Sequence, residues 1–409
     1  MSDADASLTQ DPAREPFRPR DGIPPVLTDV ASVQAYASAL AHGTGPLAVD
    51  AERASGFRYS QRAYLVQLRR EGAGTGLIDP IGMADLSAIQ NATRDVEWIL
   101  HAATQDLPCL AELGMKPDRL FDTELAGRLL NRERVSLSAL VASELGEILE
   151  KGHGAADWSQ RPLKDDMIAY AALDVELLIE LRDSLAVSLE EAGKWEIAQE
   201  EFTALLDFTP RERGEDPWRR TSGLHKVRSP ADLAVVRSLW WARDRLAQES
   251  DVAPGRLLPD SALIAVAQGK PRDIEALRTL PGFHGRGAAR YLRTWWKAVL
   301  EARAMDPGDL PSSPAPSSGP PQPRTWADRN PAAWKRLTAA REALATIADQ
   351  RDLPVENLLS PEPVRRLCWE PPAPITPDRI EGFLRDQGAR QWQVDATVIA
   401  LQQALVTGE

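Results

Sequence analysis

The stretch Gly45-Pro46-Leu47-Ala48-Val49-Asp50-Ala51-Glu52 decides how the first half of this 409-residue chain is read. A Gly/Pro break precedes a short apolar run, the pattern of a buried strand. Side chains alternate along a strand, so Asp50 and Glu52 project from the same face. Carboxylates that close together and out of water raise each other's pKa unless a cation sits between them. The stretch therefore predicts a strand that presents acids to bound metal.

Two further segments supply partners for these acids. Tyr170-Ala-Ala-Leu-Asp174 lies within Lys164 to Val187, where Ile168, Ala171, Ala172, Val175, Leu178 and Ile179 recur at helical period. Residues four apart share a helix face, so the phenol and the acid point the same way. Asp106, in His101-Ala-Ala-Thr-Gln-Asp106, falls at the start of another predicted helix through Leu110 and Leu113. Hard carboxylate oxygens suit magnesium, with manganese as the runner-up, rather than zinc. Two such ions can stabilise both the attacking and the leaving oxygen of an in-line phosphodiester displacement. The Tyr170 phenol, with a reference pKa of about 10, is protonated at neutral pH and reads as a positioner of the attacking water rather than a general base. Apolar runs at Leu47 to Val49, Tyr64 to Leu68, Leu77 to Ile78 and Val96 to Leu100 alternate with helical stretches. That alternation predicts an α/β domain with a mixed sheet, whose first strands are antiparallel because their connections are short.

The order Asp-x-Glu, Asp, Tyr-x-x-x-Asp resembles the three motifs of the DEDDy group of 3′–5′ exonucleases. The flanking segments are similar to those of the bacterial ribonuclease D family: Tyr64-Leu-Val-Gln67-Leu68, Leu77-Ile-Asp79-Pro80, Phe121-Asp122-Thr123 and Asp157-Trp158-Ser159-Gln160-Arg161-Pro162-Leu163. The resemblance implies a ribonuclease-H-like fold and two metal ions held by Asp50, Glu52, Asp106 and Asp174. It implies removal of nucleotides one at a time from RNA 3′ ends, with release of nucleoside 5′-monophosphates. By the same resemblance, the substrates are precursor tRNA and other small structured RNAs with unpaired 3′ tails.

Each residue also has a plainer reading. An isolated Asp at a strand end or helix start is a turn former or N-cap, and Asp122, after Arg119-Leu-Phe121, is read that way. His101 ends an apolar run and is read as a substrate-side group or one supporting the acids, with a structural role as the alternative. Gln67, Trp158, Ser159, Gln160 and Arg161 are candidates for nucleic-acid contacts. Arg161 would pair with a phosphate and Trp158 would stack on a base, against packing for Trp158 and helix capping for Arg161. A DNA exonuclease uses the same metal chemistry, which needs no 2′-hydroxyl. A non-catalytic RNA-binding scaffold would be signalled by a decayed acidic set, whereas all four acids and the tyrosine are present here.

Composition bounds these readings. At 43% hydrophobic and 26% charged residues, the chain is an ordinary soluble globular type. Its length calls for two or three domains. No apolar run approaches the roughly 20 residues needed to cross a bilayer. Met1 to Pro25 is polar and lacks the apolar centre of a secretory signal, so it is read as a disordered tail. Cys109 and Cys368 lie far apart and belong to no metal-ligand pattern, consistent with a reducing cytoplasm. The net charge of -12 argues against a generic polyanion binder, but Arg286, Arg290, Arg293 and Lys297 recur at helical spacing as a candidate phosphate-facing stripe, or simply a solvated face. No obligate protein partner is implied.

Two irregular stretches divide the chain. Asp207 to Gly223 is polar and broken by Pro210, Gly214 and Pro217, and Asp306 to Pro323 is a Pro/Ser tract expected to form a semi-stiff spacer. The segments beyond the first connector resemble each other. Ala242-Arg-Asp-Arg-Leu-Ala247, Pro254 and Leu257-Leu258-Pro259 are matched by Ala340-Arg-Glu-Ala-Leu-Ala345, Pro354 and Leu358-Leu359-Ser360. With Leu280-Pro-Gly-Phe283, the pattern is similar to the HRDC domain, a compact helical bundle, and two copies are expected. The second departs from that pattern, since Glu381 to Gly388 carries fewer basic residues. The expected organisation is a tail at 1–25, an exonuclease domain at 26–206, a connector at 207–228, HRDC domains at 229–305 and 329–409, and a linker at 306–328.

Overall fold

The computed structural model describes residues 17–149, 152–210, 213–312 and 319–407. Its centre is a six-stranded mixed sheet in the order β1-β4-β3-β2-β5-β6, formed by β1 (Val26–Leu27), β2 (Thr44–Arg53), β3 (Ala63–Glu71), β4 (Gly74–Ile78), β5 (Glu97–Leu100) and β6 (Arg119–Asp122). The strands β2, β3 and β4 are antiparallel neighbours, whereas β5 runs parallel to both β2 and β6. The expectation of antiparallel first strands holds because β3 and β4 are joined by a turn in which Gly72 and Gly74 take φ of 83° and 72°, a region closed to most side chains.

Alternation along β2 sorts its residues onto two faces. Leu47, Val49 and Ala51 join a core with Val33, Leu40, Trp98 and Leu110. The opposite face carries Ala48, Asp50 and Glu52, and across it lies the helix Asp165–Glu176, packed on β2, β3 and β4. Leu65 and Leu77 meet Met167, Ala171 and Ala172 of that helix in a second core. Each fully buried Leu or Val contributes about 1.5–3 kcal/mol, so the register that buries Leu47 and Val49 also fixes which face receives the two acids. The stretch Lys164 to Val187 is two helices rather than one: Asp165–Glu176 stops at Leu177, with φ -109° and ψ 6°, and Leu178–Glu191 follows. This break lets the second helix pack on the helix Thr123–Leu129 and on β5 while the first stays over the acids.

Two all-helical units follow. The first has its own core around Trp218, Leu239, Leu258, Phe283 and Trp295. The second buries Trp326, Leu337, Leu358 and Leu401 in a core continuous with Phe121, Leu129 and Phe202 of the sheet domain. Expected boundaries shift accordingly. Trp218 and Trp326, placed in connectors by sequence, are both fully buried. The tail expected at 1–25 lies outside the described residues up to position 16, but beyond that it is held: Phe17 N–H donates to Ile148 O at 2.8 Å, and Arg20 pairs with Glu180. The middle of the Pro/Ser tract, 313–318, also lies outside the described residues. Among those described, no helix is long and apolar enough to cross a membrane.

Candidate active site

Strand β2 and the helix Asp165–Glu176 bring three of the predicted acids together. Carboxylate oxygens of Asp50, Glu52 and Asp174 all lie within 4.8 Å of one another. Asp106 stands beside them at the end of a short 3₁₀ turn, Ala103–Gln105, with Arg53 Nη2 3.8 Å from its Oδ1. The electrostatics match this crowding. Burial first, then Asp50, Asp174 and Asp106, push the Glu52 carboxyl up to about 10, against the pull of Arg53. Burial raises Asp50 to about 6, opposed by the Ala51 N–H and Arg53. Asp106 and Asp174 lie well above the usual carboxylate range, again from burial first and then from neighbouring acids. An all-carboxylate pocket that holds protons this tightly fits a hard divalent cation, which would replace those protons. Tyr170 shares the helix face of Asp174, and its phenol is pushed above its ordinary value by burial and then by Asp174, Glu52 and Asp50. It is therefore a neutral hydroxyl at physiological pH.

Sequence reasoning missed how Asp106 is delivered. Asp122, read as a cap, is one: its Oδ1 accepts from Glu124 N and Leu125 N at 2.9 and 3.1 Å. The same carboxylate also accepts from Ala102 N and Ala103 N at 3.1 and 2.8 Å. It thereby fixes the turn before Asp106, in which Ala102 takes the left-handed φ of 58°. Arg53, next to the Asp-x-Glu motif in sequence, places a cation beside Asp106 and was also missed.

The predicted substrate contacts fare differently. His101 turns its Nδ1 to Thr123 Oγ1 at 2.9 Å, and burial lowers its pKa to about 4, so the ring is neutral. Trp158 is fully buried among Tyr64, Leu65 and Met167, which leaves no face for a base and corrects the stacking expectation. Arg161 is also corrected. Its guanidinium grips Asp79 at 2.5 and 2.9 Å and the Tyr64 and Trp158 carbonyls at 2.7 Å, so it ties the loop to the sheet. Gln67, paired with Asp50 across β2 and β3, is 0% exposed and out of reach of substrate in this conformation. Ser159 Oγ donates to Asp157 Oδ1 at 2.6 Å and accepts from Arg58 Nε at 2.8 Å. Of the six, Gln160 and Arg161 are exposed to solvent, the former with its amide on Asp157 at 3.2 Å.

Comparison with known proteins agrees with this geometry. Residues 25–190 match the family described as 3′–5′ exonuclease, and residues 232–299 match the HRDC domain. Residues 319–405 match a separate family, described as the 3′ to 5′ exonuclease C-terminal domain, so one HRDC domain is established rather than two. The curated ribonuclease D of Gluconacetobacter diazotrophicus is 32% identical over 286 residues, covering 68% of each chain. That of Escherichia coli is 26% identical over 82% of this chain and 89% of the relative. Among solved structures, a protein from Bifidobacterium adolescentis is 40% identical with a TM-score of 0.87, over 95% of this chain and 98% of that one. The E. coli RNase D structure, at 23% identity and a TM-score of 0.67 over 94% and 98%, shares the fold.

Proposed function

Since the chain belongs to the ribonuclease D family and is a 3′–5′ exoribonuclease, we propose how its residues divide that work. Asp50, Glu52, Asp106 and Asp174 hold two divalent ions, magnesium in preference to manganese. When bound, the ions neutralise the charge that develops on the attacking and leaving oxygens of the scissile phosphodiester. The observation that carries this reading is the convergence of Asp50, Glu52 and Asp174 oxygens within 4.8 Å, with Glu52 buried and the other two half-buried. Tyr170 stays protonated, keeps its hydroxyl toward the pocket and orients the attacking water. Arg53 moderates the acids' repulsion from the Asp106 side. A nucleoside 5′-monophosphate leaves, and the pocket accepts the next 3′ end.

The substrates are RNA 3′ tails, with precursor tRNA and other small structured RNAs as the class, in the cytoplasm. The second helical unit is a diverged repeat of the first. Both open with a long helix, Pro230–Ser250 and Pro331–Gln350, followed by a left-handed aspartate, Asp251 and Asp352. Each then has a one-turn helix and an extended second leucine, Leu258 and Leu359.

A time course on 3′-extended tRNA with and without chelator tests the reading. Stepwise shortening should stop when metal is removed. Asp50→Asn or Asp174→Asn should lower the rate by about 10²–10³-fold, the range for loss of one charge-stabilising group. Full activity in either variant with magnesium present overturns the assignment, and equal digestion of matched DNA overturns the RNA preference.

A further inference from the structure

The connection between β2 and β3, Ala54 to Arg62, begins two residues past Glu52. Ala54 O accepts from both Phe57 N and Arg58 N at 2.8 Å, which folds the segment into a tight turn. On its inner side, Phe57 packs against the same buried group as Tyr170, a group that includes Trp158 and Met167. Arg58 bonds Ser159 as described. Its outer side belongs to the first helical unit. Ala253 N donates to Phe57 O at 3.0 Å, and Arg256 Nε donates to Gly56 O at 2.9 Å. The Arg256 guanidinium also sits 3.9 Å from the centre of the Phe57 ring, a cation–π contact. Asp251 Oδ1 accepts from Ser60 N at 2.9 Å, and Tyr59 OH lies 3.2 Å from both Asp244 oxygens.

We propose that Arg256 and Asp251 are positioning residues for the exonuclease reaction, through which the first helical unit holds the Ala54–Arg62 connection and so sets the pocket wall beside Glu52 and Tyr170. This rests on the exonuclease reading of the pocket. Neither residue reaches the acids, and both act through backbone groups that the sheet domain alone leaves without these partners. A one-sided turn with exposed Gly56 and Phe57 carbonyls would sample several conformations, because solvent would be the alternative partner for each. Asp251 is held in the left-handed region at φ 46°, where Asp is tolerated because its side chain bonds locally or, as here, across the interface. The unit would thus serve catalysis even on substrates it does not touch.

The test uses the full chain with Arg256→Ala, Asp251→Ala and the conservative Arg256→Lys and Asp251→Asn, with Arg278→Ala on an exposed helix of the same unit as control. On a single-stranded trinucleotide, kcat should fall about tenfold in the alanine variants, within the hundredfold that a misplacement of about 1 Å can cost. KM should change little, and the conservative variants should recover part of the loss. Deuterium exchange at the Ser60 amide should accelerate about tenfold in Asp251→Ala and not in the control. Unchanged kcat with unchanged exchange overturns the proposal. A rise in KM alone also overturns it, since that would mark direct contact with substrate. If the parent chain cleaves no RNA with magnesium present, the exonuclease reading fails, and the Ser60 exchange alone then decides whether the brace exists.

Discussion

The two helical units meet the sheet domain at corresponding points of their own folds, the left-handed aspartate after the long first helix, yet the contacts differ in kind. Asp251 of the first unit takes the Ser60 amide of the connection that follows the catalytic strand. Asp352 of the second takes Asn131 Nδ2 at 2.7 Å, and its carbonyl takes Lys194 Nζ at 2.8 Å. Around the first aspartate, the contact is made mainly of hydrogen bonds and a cation–π pair, with Tyr59, among the described residues, the one sheet-domain ring packed on the unit's core. Around the second, Leu353 and Trp392 continue a single apolar core into Phe202 and Leu129. Apolar continuity fixes a unit permanently, whereas a polar contact of this size resembles interfaces that open. Two helical units that meet the sheet domain through a left-handed aspartate are thus joined to it by different means, one by a shared apolar core and one by polar contacts.

The strongest way to break this contrast is at Trp392, which is 6% exposed and donates its Nε1 to Glu201 at 2.9 Å. Trp392→Ala should cost about 3–5 kcal/mol and lower Tm steeply in calorimetry, while kcat of the protein that remains folded stays near the parent value. A large kcat loss with little change in Tm would reverse the roles assigned to the two units.

A pH and metal experiment sharpens the catalytic side. The Asp50 and Glu52 carboxyls have folded values raised to about 6 and about 10 from 3.8 and 4.5. Groups raised in this way stabilise the fold below their unfolded pKa, and that contribution is lost as pH rises through the folded value. Tm of metal-free protein should therefore fall by several degrees between about pH 4.5 and about pH 10, and magnesium should restore most of it at the alkaline end. A flat metal-free profile would count against a pocket of mutually repelling acids.

A smaller effect separates the two aspartates. Asp251→Ala should destabilise by about 1 kcal/mol, the net worth of one hydrogen bond, and Asp352→Ala by less, because its bond to Asn131 is exposed. Only the first should also slow hydrolysis. The smallest expected effect lies on the exposed stripe of the first unit: Arg293→Glu should leave Tm unchanged and weaken binding of long RNA modestly, most visibly at low salt. A loss that persists in high salt would mark a specific contact instead.

The parts of the molecule that were legible in sequence are those governed by local period. Asp50 and Glu52 two apart on a strand, Tyr170 and Asp174 four apart on a helix, and Asp122 as a cap all follow from spacing alone. The misreadings share one cause. Arg161 and Asp79 are 82 positions apart, Trp158 packs against strands far back in the chain, and Phe17 bonds Ile148. No short window contains these pairs. The contacts of Asp251 and Asp352 on the sheet domain are invisible for the same reason, although the repeat that carries them could be seen.

Leu310 packs against the core of the first unit, and Trp326 is buried in that of the second. The tract between them can span at most about 55 Å fully extended. If the polar contact opens, the first unit therefore cannot diffuse away, and its local concentration near the β2–β3 connection stays in the millimolar range of short tethers. Closure is then a first-order event, independent of dilution, so the enzyme should work as well at trace concentrations as at abundant ones.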